Sequence, residues 1–136
     1  MNAAGSVDPR LQTFLALDFG AKLTGVAVGN RLLRQASPQP TIAAVAAAAR
    51  LDAVAQRVRE WQPDALVVGV PRHPDGAPHE NTARAQKFAR QLRERFRLPV
   101  FEVDERYSTT EALQDGARDA DAGAACVILD QFLRSL

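Results

Sequence analysis

Cysteine occurs once, as Cys126, so the chain can close no internal disulfide and build no cysteine zinc site. It lies among apolar residues of the last predicted helix and reads as a small core residue. Long hydrophobic runs are also missing. The longest, Ile42 to Ala49, is far too short to span a bilayer. The N-terminus is polar and has no signal-peptide core, so a soluble cytoplasmic protein that engages no membrane is expected. Charge of one sign is not in excess: 17 Lys and Arg face 16 Asp and Glu, so the net value of +1 names no partner. What is present is globular in character, with 46% hydrophobic and 24% charged residues. A length of 136 residues favours one domain with a real core.

The polar residues 1–12 read as a flexible N-terminal arm, and 13–136 as the single folded domain. Thr13 to Asp18 is apolar with β-type residues. A turn over Gly20 to Thr24 leads into Gly25 to Gly29, a hairpin partner. A third strand is expected over Leu32 to Ala36, or running on to Ile42, and Pro38 and Pro40 would confine it to a sheet edge. Ala43 to Trp61 reads as a helix with Leu51, Val54, Val58 and Trp61 on one buried face. Asp64 to Pro71 is a near-continuous apolar run, which suits a strand buried on both sides in a parallel sheet. Residues 73–81 form a loop, and Thr82 to Phe96 a helix with Ala85, Phe88, Ala89, Leu92 and Phe96 inward. Leu98 to Glu105 is the next strand. Ser108 to Glu111 has the capping-box pattern and starts a helix. Gln114 to Ala120 is a loop, and Asp121 to Leu136 the final helix. The order predicts an α/β fold with a mixed central sheet and helices on both faces.

Three acidic positions fall where such a sheet would do chemistry. Asp18 ends the first strand, Asp104 and Glu105 end the last, and Asp121 opens the final helix. Most carboxylates are solvated surface groups, and one that terminates a buried strand is less ordinary. Hydrolysis of a phosphodiester needs an activated water and charge relief at the phosphate oxygens, which divalent metals held by carboxylates supply. Asp18, Glu105 and Asp121 would make such a set. Side chains alternate along a strand, so Asp104 and Glu105 cannot both enter one site. Glu105 is preferred for its reach, with Asp104 as its substitute. The plainer readings are turn chemistry for Asp18, a local ion pair for Asp104-Glu105-Arg106 and an N-cap for Asp121.

From Arg84 to Arg97 six basic residues face Glu94 alone. That is a solvated helix face or a track for a phosphate backbone. Helical spacing puts Arg84 and Lys87 near the catalytic edge, as substrate contacts. Arg93, Arg95 and Arg97 lie too far along. Lys22, Arg72 and Arg106 are further candidates for holding substrate phosphates, and His73 and His79 read as solvated.

The ordered set Leu17-Asp18-Phe19-Gly20 with Lys22, Gly25-Val26-Ala27-Val28, Val67-Val68-Gly69-Val70-Pro71, Asp75-Gly76, Val103-Asp104-Glu105-Arg106 with Ser108-Thr109, and Asp121 with Ala124-Ala125, Ile128 and Leu129 resembles the bacterial YqgF (RuvX) family of the ribonuclease H-like superfamily. The resemblance covers nearly the whole chain. It implies a ribonuclease H-like fold and a magnesium- or manganese-dependent nuclease with Asp18, Glu105 (or Asp104) and Asp121 as its acidic set. It associates the chain with maturation of the 5′ end of precursor 16S ribosomal RNA, and alternatively with Holliday-junction resolution. Structured RNA is then the expected partner, with DNA as the second, and the choice between monomer and homodimer stays open. Leu23-Thr24 and Gly29-Asn30 depart from the residues usual at those positions. The segment from Asp18 to Val26 also looks like the first phosphate motif of actin-like and sugar-kinase ATPases, but the chain is too short for their second lobe. A non-catalytic RNA-binding assembly factor is the remaining alternative.

Overall fold

A computed structural model of the chain describes residues 7–73, 75–78, 80–105 and 120–136, with residues 120–122 described in their backbone only. The elements are β1 (Thr13–Phe19), β2 (Leu23–Asn30), β3 (Ala36–Ala43), α1 (Ala47–Trp61), β4 (Ala65–Pro71), α2 (Thr82–Phe96), β5 (Val100–Glu105) and α3 (Ala120–Arg134). The five strands form one sheet in the order β3-β2-β1-β4-β5. β1 pairs antiparallel with β2 and parallel with β4, β2 pairs antiparallel with β3, and β4 parallel with β5. This is the mixed sheet expected from the sequence. The two most apolar strands, β1 and β4, take its centre, where both faces are covered.

Alternation divides the core. Leu15, Leu17, Val26, Val28, Leu66 and Val68 pack with Val54, Phe88 and Leu92 of α1 and α2. Phe14, Ala16, Ala27, Ala65 and Val67 pack with Ala125, Ile128, Leu129, Phe132 and Leu133 of α3. Helices therefore cover both faces.

Several boundaries differ from the sequence expectation. β3 starts at Ala36, because residues 31–35 turn back: Arg34 is left-handed at φ 53°, its N–H donates to the Asn30 carbonyl, and Leu33 N–H donates to Asn30 Oδ1. β3 then runs to Ala43, paired with Leu23, so α1 begins four residues later than its alanines suggest. Sheet pairing has outweighed helix propensity there. Trp61, expected inside, is 39% exposed at the end of α1. β5 starts at Val100, after left-handed Arg97 closes α2. β3 lies at the sheet edge, as its two prolines require. Cys126 is half-buried, and burial with nearby Asp130 pushes its thiol up to about 11. The helix expected from Ser108 and all of the loop expected over Gln114 to Ala120 except Ala120, which opens α3, lie outside the described residues.

Residues 1–6 of the expected arm also lie outside them, but residues 7–12 are tied to the domain. Arg31 donates to the carbonyls of Leu11 and Asp8. Asp64, at the N-terminal end of β4, accepts from the backbone N–H groups of Gln12 and Thr13 at 2.8 and 2.9 Å. Asp64→Ala leaves two donors without this acceptor and should lower stability by about 1–2 kcal/mol. A urea unfolding midpoint equal to the parent's would show that Asp64 holds nothing.

Candidate active site

Asp18 stands at the C-terminal end of β1, opposite Gly69 of β4. Phe14 and Ala16 face α3, and a period of two puts Asp18 on that same face. On β5, Phe101 and Val103 pack towards α3, so Glu105 shares the face as well. Glu102 and Asp104 point to the other side. There Arg93 Nη2 meets Glu102 Oε2 at 3.1 Å, and Arg72 Nε meets Asp104 Oδ1 at 3.1 Å. The two adjacent carboxylates that the sequence left as alternatives are thus separated by the sheet. Glu105 lies on the Asp18 face, and Asp104 lies in an ion pair on the opposite one.

Gly69 stands on β4, the strand between those that carry the two carboxylates of the α3 face. In register it sits between Asp18 on β1 and Val103 on β5. A Cβ at Gly69 would lie 3.2 Å from Glu105 Oε2 and would collide with Ile128 Cδ1. The Glu105 carboxylate therefore reaches back across β4 through space that only glycine leaves open. It ends over Gly69 of β4, and adjacent strands are about 4.8 Å apart, so β1 with Asp18 is the next strand over. Glu105 is only 7% exposed. A carboxylate buried to that degree is costly unless opposite charge or donors meet it.

α3 runs antiparallel to β1 and β4. Phe132 meets Phe14 at the start of β1, with ring centroids 5.2 Å apart, whereas Ile128 abuts Gly69 near the end of β4. The N-terminal end of α3 is therefore at the Asp18 and Glu105 edge. Asp121 lies in its first turn, seven residues before Ile128, and its side chain is outside the described residues. Arg106 and His79 are outside them too. Among the described residues no group of three or more His, Cys, Asp or Glu side chains converges as a metal cluster.

The predicted basic residues differ in their freedom. Lys22 is exposed in the turn between β1 and β2, which Gly20 permits: a Cβ there would meet the Leu23 carbonyl oxygen at 2.5 Å. Arg72 is held by Asp104, and its backbone N–H donates to the Glu105 carbonyl. Arg84 and Lys87 are exposed on the first turns of α2 and form no ion pair with a described carboxylate. Further along α2, Arg93 and Arg95 are taken by Glu102 and Asp52. Thr82 Oγ1 donates to the Pro71 carbonyl at 2.5 Å and ties the start of α2 to the end of β4. Two residues escaped the sequence reading. Gly69 carried its signal in Val-Val-Gly-Val-Pro, a glycine inside a buried strand. Arg50 stands four residues before Val54, which marks it as a charge on the core face of α1.

A protein of Albidiferax ferrireducens named "Putative pre-16S rRNA nuclease" is 72% identical over 130 residues, which covers 96% of this chain and 83% of that one. A protein of the same name from Polaromonas sp. is 73% identical over 126 residues, or 93% of this chain and 91% of its own. Among solved structures, Thermus thermophilus RuvC in complex with a Holliday junction substrate superposes with a TM-score of 0.56 over 90% of this chain and 94% of that one. At 14% identity that is a likeness of fold, and the fold is ribonuclease H-like, as expected from the sequence. No helix among the described residues is long and apolar enough to cross a membrane. Residues 12–135 match the model of the family described as RuvX, Holliday junction resolvase, and the chain belongs to that family.

Proposed function

We propose that this chain is a divalent-metal-dependent nuclease that hydrolyses phosphodiester bonds while the 5′ end of precursor 16S ribosomal RNA is matured. The observation that carries the reading is the reach of the Glu105 carboxylate to Gly69, the residue in register with Asp18, at the C-terminal edge of the parallel strands. Ligands of open α/β sheets bind at that edge. The names of the relatives from Albidiferax and Polaromonas point to the substrate. The reading goes with a cytoplasmic location.

The donor set fits magnesium or manganese. Asp18 and Glu105 offer hard oxygens, and a site with few carboxylates leaves coordination positions for water and phosphate. Asp18 and Glu105 would hold the ion, with Asp121 as the third ligand. When bound, the metal supplies an activated water and neutralises charge on the reacting phosphate. The chain's own part is positioning. Gly69 admits the Glu105 carboxylate, and Ile128 closes the space behind it. Lys22, Arg84 and Lys87 are the cations available to orient the substrate backbone, and Arg106 is a further candidate. Arg72 would first have to leave Asp104. The description of the matching family and the RuvC-like fold favour a second reading, resolution of four-way DNA junctions.

The test presents precursor 16S RNA, single-stranded DNA and a four-way junction side by side, with magnesium, manganese or a chelator. Cleavage of the RNA with either metal, lost in chelator, is expected. Preferential cutting of the junction would move the assignment to the second reading. No cutting of any substrate would leave a non-catalytic RNA-binding factor.

A further inference from the structure

A concavity lies across the sheet from the face of the carboxylates. Phe19 follows Asp18 and points to the opposite face, where it packs on Phe88 with ring centroids 5.3 Å apart. With Ala21, Val45 and Ala47, these rings form the apolar part of a cleft of about 330 Å³. Its polar lining is Arg50, Arg84, Lys87 and Gln91. Among the described residues three cations and no carboxylate line it. Its size is at the lower end for small-ligand sites.

Arg50 is the unusual member. It is 4% exposed, and its guanidinium lies 4.3 Å from the centroid of the Phe19 ring. Its Nη2 donates to the carbonyls of Ala21 and Ala44 at 2.8 and 3.0 Å, while Nε has no hydrogen-bond partner among the described residues. No described carboxylate pairs with it. A buried cation normally carries a counter-charge. Arg50 lines the cleft, so an anion bound there would answer its charge.

We propose that this cleft binds one unpaired nucleotide of the substrate strand, its base against the Phe19–Phe88 wall and its phosphate held by Arg84 and Lys87 over the buried charge of Arg50. An anion alone would not need the aromatic wall, and an apolar ligand would not need three cations. A nucleotide carries both parts, and Gln91 offers an amide to a base edge. The proposal rests on the nuclease reading for its role. A strand crossing the turn between β1 and β2 would have one phosphate at Asp18 and a neighbouring base in the cleft. Such a pocket cannot accept a paired base, so the enzyme would require single strand beside the cut.

The test measures binding in chelator, where no cleavage occurs, so that failure of the nuclease reading cannot be mistaken for failure of this one. The probes are a short single-stranded oligoribonucleotide, a blunt duplex of the same sequence and a free nucleoside monophosphate. The proteins are the parent, Arg84→Ala with Lys87→Ala, Gln91→Glu, and Arg90→Ala, an exposed cation of α2 outside the cleft. The double variant should bind the single strand at least about tenfold more weakly. Its salt slope should fall by about 0.7 for each lost phosphate contact. Gln91→Glu should weaken binding too, Arg90→Ala should change neither quantity, and the parent should favour single strand over duplex. Equal losses in Arg90→Ala and the double variant would overturn the proposal, as would duplex bound as tightly as single strand. Binding of the free monophosphate as tight as that of the oligonucleotide would overturn the assignment to a strand.

Discussion

Asp18→Asn is expected to lower metal-dependent cleavage by at least about a hundredfold, with the unfolding midpoint close to the parent's. A metal-held phosphate draws several kcal/mol of charge stabilisation, and each 1.4 kcal/mol is about a factor of ten in rate. The amide keeps the size of the carboxylate and loses its charge. Glu105→Gln should act alike, because Glu105 shares the face of Asp18. Asp104→Asn is the informative contrast. Asp104 pairs with Arg72 across the sheet, so its loss should alter rate only a few-fold. The measurement is single-turnover cleavage under one metal for all three variants. Parent-like rates in Asp18→Asn, or a collapse in Asp104→Asn with Glu105→Gln active, would reject the proposed ligand set.

Gly69→Ala should disturb stability and catalysis together. The added methyl meets Ile128 Cδ1 behind it and the Glu105 carboxylate beside it. Ile128 is 1% exposed, so it has no free space in which to move aside. Overpacking of this kind costs about 1–3 kcal/mol. The displaced Glu105 should cost cleavage as well. Adding Ile128→Val to Gly69→Ala makes room at the helix but not at the carboxylate. The double variant should therefore recover stability more than activity. Denaturant unfolding read beside cleavage rates separates the two. Full recovery of both would mean that Gly69 serves helix packing alone.

The parts of the fold that were legible in the sequence are those set by local pattern. β4 shows itself as an apolar run closed by Pro71, and α2 by the spacing of Ala85, Phe88, Ala89 and Leu92. The start of α1 was misplaced because Ala43 has good helix propensity but also a strand partner in Leu23, and pairing is not visible locally. At the site, alternation separates Asp104 from Glu105 but cannot say which of them shares a face with Asp18. That depends on which side of β5 meets α3, a matter of topology. Gly69 and Arg50 show in the sequence only as a glycine inside a buried strand and a charge on a core face, and their roles depend on topology as well. The first matters through cross-strand register, and the second through carbonyls at Ala21 and Ala44, brought to it by the turns on either side of β2 and β3.

The prolines of β3 bear on how copies of this protein meet. An outermost strand offers unpaired backbone groups to any passing chain, and a sheet that accepts one such strand can accept many. Pro38 and Pro40 each remove a donor from the β3 rim. At the opposite rim, Glu102 and Asp104 of β5 are already held in ion pairs by Arg93 and Arg72. Self-association through sheet extension is disfavoured at this β3 rim, so a working homodimer, if the reaction requires one, would have to be built elsewhere on the molecule.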